Sequence, residues 1–170
     1  MSRIQPLKRI PVGVVIERRK ATSPWVDFLW RPIAALPGIP DANPWTVLDS
    51  DAERTQFYGG AAEIELHRSD TSGYRDNLAS GAASLWVVLR PTGVEPPYEI
   101  TAVTADPGEG EAFSESAANL VEAVPMPEAV HTALAEFVAE HHVERRFVKR
   151  VRDRADPETM ARHGSLKERK

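Results

Sequence analysis

The sequence predicts an α+β fold: a bent antiparallel sheet or partly open β-barrel of about six or seven strands, with a long C-terminal helix packed on it. Three observations predict it. The first half repeats short β-branched or aromatic runs bounded by Pro, Gly, Asp and Ser, such as "RIPVGVVIERR" and "TQFYGGAAEIELHR", which is the signature of short strands joined by turns. A helical period appears late, in "MPEAVHTALAEFVAEHH". At 170 residues one domain buries roughly 70% of the surface its unfolded chain exposes, enough to fold without staples.

The elements follow in order. "RIPVGVVIERR" is a strand beginning near a proline, and "KATSP" turns the chain into "VDFLWRPIAAL", where Val26, Phe28, Trp30, Pro32, Ala34 and Leu36 share one face at period two. Pro32 has no N–H to give, so this strand is an edge or carries a bulge there. A proline-rich loop leads to a short strand at "WTVLD". In "TQFYGGAAEIELHR", Tyr58, Gly60, Ala62, Ile64 and Leu66 point inward and Glu63, Glu65 and His67 outward, with Gly59 and Gly60 marking a bulge or bend. "SDTSGYRDNLASG" opens with helix-start chemistry at Ser69 or Asp70. "SLWVVLRP" is apolar almost throughout, a central strand that pairs with "YEITAVTAD" as a hairpin. A helix is expected from about Glu109, a last strand at "NLVEAVP", and then a helix from Pro127 with Val130, Leu134, Phe137, Val138 and His141 on one stripe. The reading gives an N-terminal arm over 1–9, a single domain over 10–153 and a mobile tail over 154–170.

Composition excludes several chemistries. The chain has no cysteine, hence no disulfide, thiolate zinc site, cysteine-ligated cluster or cysteine nucleophile. The only apolar run near the N-terminus, Pro11 to Ile16, is too short for a signal core or membrane span, so a soluble cytoplasmic protein is expected. The net charge of −4 hides segregation: residues 1–20 carry six basic side chains against Glu17, residues 91–144 hold acids and no Lys or Arg, and residues 143–170 hold ten basic against five acidic side chains. Either these segments compensate one another or the basic ends meet an acidic partner.

No catalytic, cofactor or metal site is assigned. "GEG" at 108–110 lies among acids and lacks a following lysine, so it is no phosphate cradle. His141 and His142 project to different sides of a helix and make no paired metal face, leaving His141 a packed histidine and His142 a surface one. Glu63 and Glu65 share an exposed strand face, where solubility is their ordinary role. The candidate partner-binding residues are Arg18, Arg19 and Trp25 at a hairpin tip, with Arg145, Arg146, Lys149 and Arg150 in the C-terminal basic run, because arginine and aromatic side chains anchor interfaces. Trp30 falls on the apolar face with Phe28. His67, Tyr74 and Asn77 mark a second candidate, a cleft for a pterin or nucleotide.

The stretches "VVIERRKATSPWVDFLWRPIAALPG", "AAEIELHRSDTSGYRDNL", "LWVVLRP", "VEAVPMPEAV" and "HHVERRFVKRVRDRAD" together resemble a bacterial domain-of-unknown-function family of small cytoplasmic proteins encoded beside molybdenum-containing formate dehydrogenase genes. The likeness runs from about Pro11 to Asp156. It implies an accessory or assembly factor acting by binding a protein, such as a formate dehydrogenase subunit or its maturation machinery. Some members carry a label for molybdopterin-guanine dinucleotide synthesis, but "VGVVIERRKATSP" has one glycine, inside the strand, and lacks the loop such an enzyme needs. Two alternatives stand beside the protein-binding expectation: a small-molecule binder or enzyme, and RNA binding through the basic C-terminal helix.

Overall fold

The computed structural model describes residues 4–143. Among these residues seven strands form two antiparallel sheets rather than a closed barrel. The first sheet has the order β2-β1-β4-β3, from β1 (Lys8–Lys20), β2 (Phe28–Pro37), β3 (Thr46–Ser50) and β4 (Arg54–Leu66). After a 3-10 turn at Arg68–Asp70 and helix α1 (Thr71–Ala79), the second sheet sets β5 (Ser84–Pro91) between β6 (Tyr98–Thr104) and β7 (Leu120–Pro125). Helix α2 (Pro107–Ser114) lies between β6 and β7, and α3 (Glu128–His141) follows. Lys8 and Arg9, expected in an arm, already pair with Leu66 and Glu65.

Two bulges beside the middle of β1 bend the first sheet. Against β2, Val15 pairs with Ala34 and Ile16 with Pro32, leaving Ile33 over; against β4, Val14 pairs with Gly60 and Val15 with Tyr58, leaving Gly59 over. An extra residue raises local twist, and at period two it also turns every later side chain to the other face. Two expected faces are corrected for this reason. Ala35, opposite Val14, joins the core in place of Ala34 and Leu36. Tyr58 stands opposite Val15 and so leaves the face of Gly60 and Ile64; it is buried on the outer side, where a methyl on Gly13 would lie 3.0 Å from its ring and 3.0 Å from Pro40.

The core lies between the sheets, built from Ile10, Val12, Val14 and Ile16 of β1, Ile64 and Leu66 of β4, and Leu85, Val87 and Leu89 of β5. Val130, Leu134 and Phe137 of α3 join it, and α3 runs against α1, with the Phe137 and Tyr74 rings 6.1 Å apart. The expected stripe on α3 is therefore the buried one, and His141 packs on Phe137 at 4.5 Å. His142, expected on the surface, is partly buried, with Nδ1 3.1 Å from the Thr71 hydroxyl. Helix α2 begins at Pro107, before the expected Glu109, because Asp106 caps it, its carboxylate accepting from the Gly108 N–H at 3.0 Å, and proline suits the first turn. It packs on β5 through Gly110, where a methyl would fall 2.4 Å from the Trp86 ring. Among the described residues no helix is long and apolar enough to cross a membrane.

Candidate functional site

Opposed residues in an antiparallel pair share a face, and this divides the "ERR" stretch. Arg18, opposite Trp30 and Thr55, lies on the inner side; Glu17 and Arg19 lie on the outer side. The guanidinium of Arg18 sits 4.5 Å from the Phe28 ring, 5.4 Å from Phe57 and 5.8 Å from Trp30, a cation resting on π-faces. Trp30 is the hub of this group, with Trp45, Phe57 and Tyr98 each 5.9 Å away. Trp45 reaches it from a left-handed backbone, φ 70°, a conformation that costs on the order of 1 kcal/mol and is offset by edge packing on Trp30 and Phe57.

The aromatic group is only partly covered. Between the β1–β2 hairpin and the β5–β6 loop runs a groove of ≈ 590 Å³ whose walls include Val26, Phe28, Trp30, Val94, Pro97 and Tyr98. Val94 is 69% exposed, and Trp25, in the hairpin turn, is 90% exposed. Trp25 thus stands outward in the turn, and Trp30 is packed against the core.

On the outer side, Glu17 is only 2% exposed and three arginines converge on it. Nε of Arg19 and Nε of Arg31 each lie 3.4 Å from its Oε1, and Nη1 of Arg54 lies 3.7 Å from Oε2. Arg9 pairs with Glu63 and Glu65 at 3.7 and 3.8 Å. Among the described residues the ion pairs of Arg9 and Arg19 therefore end within the first sheet.

The second candidate group is split. His67 lines a polar hollow of ≈ 660 Å³ with Arg9, Glu63, Glu65, Thr101 and Glu109, its Nε2 3.7 Å from Glu65. Tyr74 is 1% exposed; burial pushes its phenol well above the usual range, so the protonated hydroxyl donates to the Glu65 carbonyl at 3.4 Å and accepts from the His67 N–H at 3.1 Å. Asn77, 3% exposed, donates to the carbonyls of Ser84 (2.8 Å) and Ala105 (2.9 Å) and accepts from the Ser84 N–H (3.0 Å). These two side chains tie α1 to its neighbouring strands, and of the three His67 is the one lining the hollow.

Sequence reading missed the acids beside it. Asp70, Asp106 and Glu109 each bring a carboxylate oxygen within 4.8 Å of the others. Burial, followed by the neighbouring charge of Asp70, raises Asp106 above its ordinary value; burial raises Glu109 as well, against the hydrogen bond from Thr104. Asp106 and Glu109 therefore hold a proton more readily than free carboxyls, and the oxygens of the trio are of the kind a hard divalent cation takes. The signal in the sequence was the helix-start chemistry of Asp70 and Asp106, which are the N-cap residues of α1 and α2; only the fold puts the two caps together. Gly73 permits the approach, since a methyl there would lie 2.3 Å from the Asp106 carboxylate.

Arg145, Arg146, Lys149, Arg150 and the expected tail over 154–170 lie outside the described residues. The profile of a family described as Protein of unknown function (DUF3305) matches residues 11–151. No curated protein and no solved structure matches the chain.

Proposed function

We propose that this chain, which belongs to the DUF3305 family, is a non-enzymatic accessory or assembly factor of a formate dehydrogenase that acts by binding a protein partner, either a dehydrogenase subunit or part of its maturation machinery. The observation that carries the binding role is the apolar surface at the hairpin end, where Trp25 and Val94 are 90% and 69% exposed beside a groove walled by Phe28, Trp30 and Tyr98. Apolar side chains gathered into one rimmed groove mark interaction surfaces, whereas scattered ones do not. Tryptophan, tyrosine and arginine are also the side chains that carry most binding energy at interfaces. The dehydrogenase as partner follows from the resemblance of the quoted motifs.

Affinity purification of the tagged chain from its own cell tests the reading. Recovery of a formate dehydrogenase subunit or maturation protein in near-equal amount is the expected result. Recovery of the chain alone contradicts it. A second reading, small-molecule binding, is favoured by the hollow beside His67; its acidic lining suits a cationic or hydrogen-bond-donating group better than the phosphates of a nucleotide. Native mass spectrometry of the same preparation separates the two, because a bound small molecule adds its own mass.

A further inference from the structure

We infer that Arg19, Arg31 and Arg54 form a receiver for a carboxylate of an acidic peptide segment on the protein partner, an inference that rests on the protein-binding reading and specifies the partner's chemistry. The three side chains come from three adjacent strands, β1, β2 and β4, and lie on the outer face at two neighbouring levels: Arg31 stands opposite Glu17, and Arg54 stands opposite Arg19. All three approach the same carboxylate, at 3.4, 3.4 and 3.7 Å. Among the described residues no hydrogen bond reaches Glu17 Oε1, so the attraction is largely coulombic. The Glu17 side chain is 3% exposed while those of Arg19, Arg31 and Arg54 are 51%, 56% and 42% exposed. The anion is at the floor and the cations are at the rim.

The charges leave a surplus. Among the described residues the ion pairs here set three guanidiniums against two carboxylates, Glu17 and, through Arg54 at 3.5 Å, Asp51, an excess of one positive charge. Arg19 and Arg31 meet Glu17 through Nε, and a guanidinium so placed retains its Nη donors for an incoming acceptor. Next to them is a hollow of ≈ 240 Å³ lined by Glu17, Arg19, Leu29, Trp30 and Arg31, with Leu29 58% exposed. An acid followed by an aliphatic side chain matches a cationic rim beside an apolar wall. A nucleic acid fits less well: its successive phosphates meet Glu17, Asp51 and a protein of net charge −4, whereas one carboxylate matches a surplus of one.

Fluorescence anisotropy on the full chain, with three labelled probes of equal length, tests the inference: a peptide alternating Glu and Leu, its counterpart with Gln for Glu, and an oligouridylate. The Glu–Leu peptide is expected to bind best, with Arg19→Gln and Arg31→Gln each weakening it about tenfold. Glu17→Gln removes the internal competitor and leaves the guanidiniums, so it is expected to tighten binding. Thermal melts accompany each variant, and Glu17→Gln carries the test if loss of an arginine prevents folding. Equal binding of the Gln peptide, unchanged affinity on Glu17→Gln, or tighter binding of the oligouridylate overturns the carboxylate receiver. Failure of the protein-binding reading shows separately, as recovery of the tagged chain without a protein partner.

Discussion

At the helix-bearing end, Asn77 and Tyr74 are 3% and 1% exposed and spend their polar atoms on backbone groups of Ser84, Ala105, Glu65 and His67. At the hairpin end, Trp25, Leu29 and Val94 are 90%, 58% and 69% exposed, and Arg19 and Arg31 stand half out of the surface. The Asn77 and Tyr74 side chains are consumed in folding, while those at the hairpin end remain available to another molecule. A polar residue type in a sequence is therefore a poor guide to function until its partners are known.

Substitutions separate the two ends, and the largest effect belongs to the closed one. Asn77→Leu strands two carbonyls and one N–H in the interior; at roughly 1 kcal/mol or more for each group, a loss of about 3 kcal/mol is expected in urea denaturation. Tyr74→Phe removes one hydroxyl that serves both Glu65 and His67, for about 1–2 kcal/mol. Neither substitution is expected to weaken partner capture by the fraction that remains folded, and a selective loss of capture would move the functional surface to this end.

Glu17→Gln lies between the two classes. It leaves three half-exposed arginines facing one another without their shared anion, so a loss of about 1 kcal/mol is expected, together with tighter binding of the acidic peptide. Asp106→Asn has the opposite sign. A carboxyl whose folded pKa is raised binds its proton more readily in the folded state than in the unfolded state, so it weakens folding as pH rises through the folded pKa. Removing that charge is expected to raise the melting midpoint at neutral pH, by less than about 1 kcal/mol in stability for a partly exposed group. The advantage fades as pH falls through the folded pKa of Asp106.

The fold was largely legible because its signals are local. The β-branched runs, Pro32, the Gly59–Gly60 pair and the stripe on α3 each report on their own neighbourhood, and each corresponds to an element or bulge. What local reading lost was parity across the bulges: Ile33 and Gly59 each consume one residue, so Ala34 and Tyr58 face opposite to a straight alternation. The candidate site was less legible because its parts are distant in sequence. Arg18 and Arg19 read as one cationic patch, yet neighbouring strand residues point to opposite faces. The groove joins Trp30 to Val94 and Tyr98, and the outer cluster joins Glu17 to Arg31 and Arg54; both needed the strand order. Asp70 and Asp106 were hidden for the same reason, as caps of two helices that only the tertiary fold brings together.

The smallest expected change in stability belongs to the hairpin end. Trp25→Ser with Val94→Ser alters two side chains that are 90% and 69% exposed, so stability should stay within about 0.5 kcal/mol per site. The same double variant gives the most direct test of the account. Tagged wild-type and variant chains are purified side by side from the native cell, and the co-purified formate dehydrogenase or maturation protein is quantified by mass spectrometry. The account predicts capture by the wild type and its loss in the variant at an unchanged melting temperature; equal capture by both chains would contradict it.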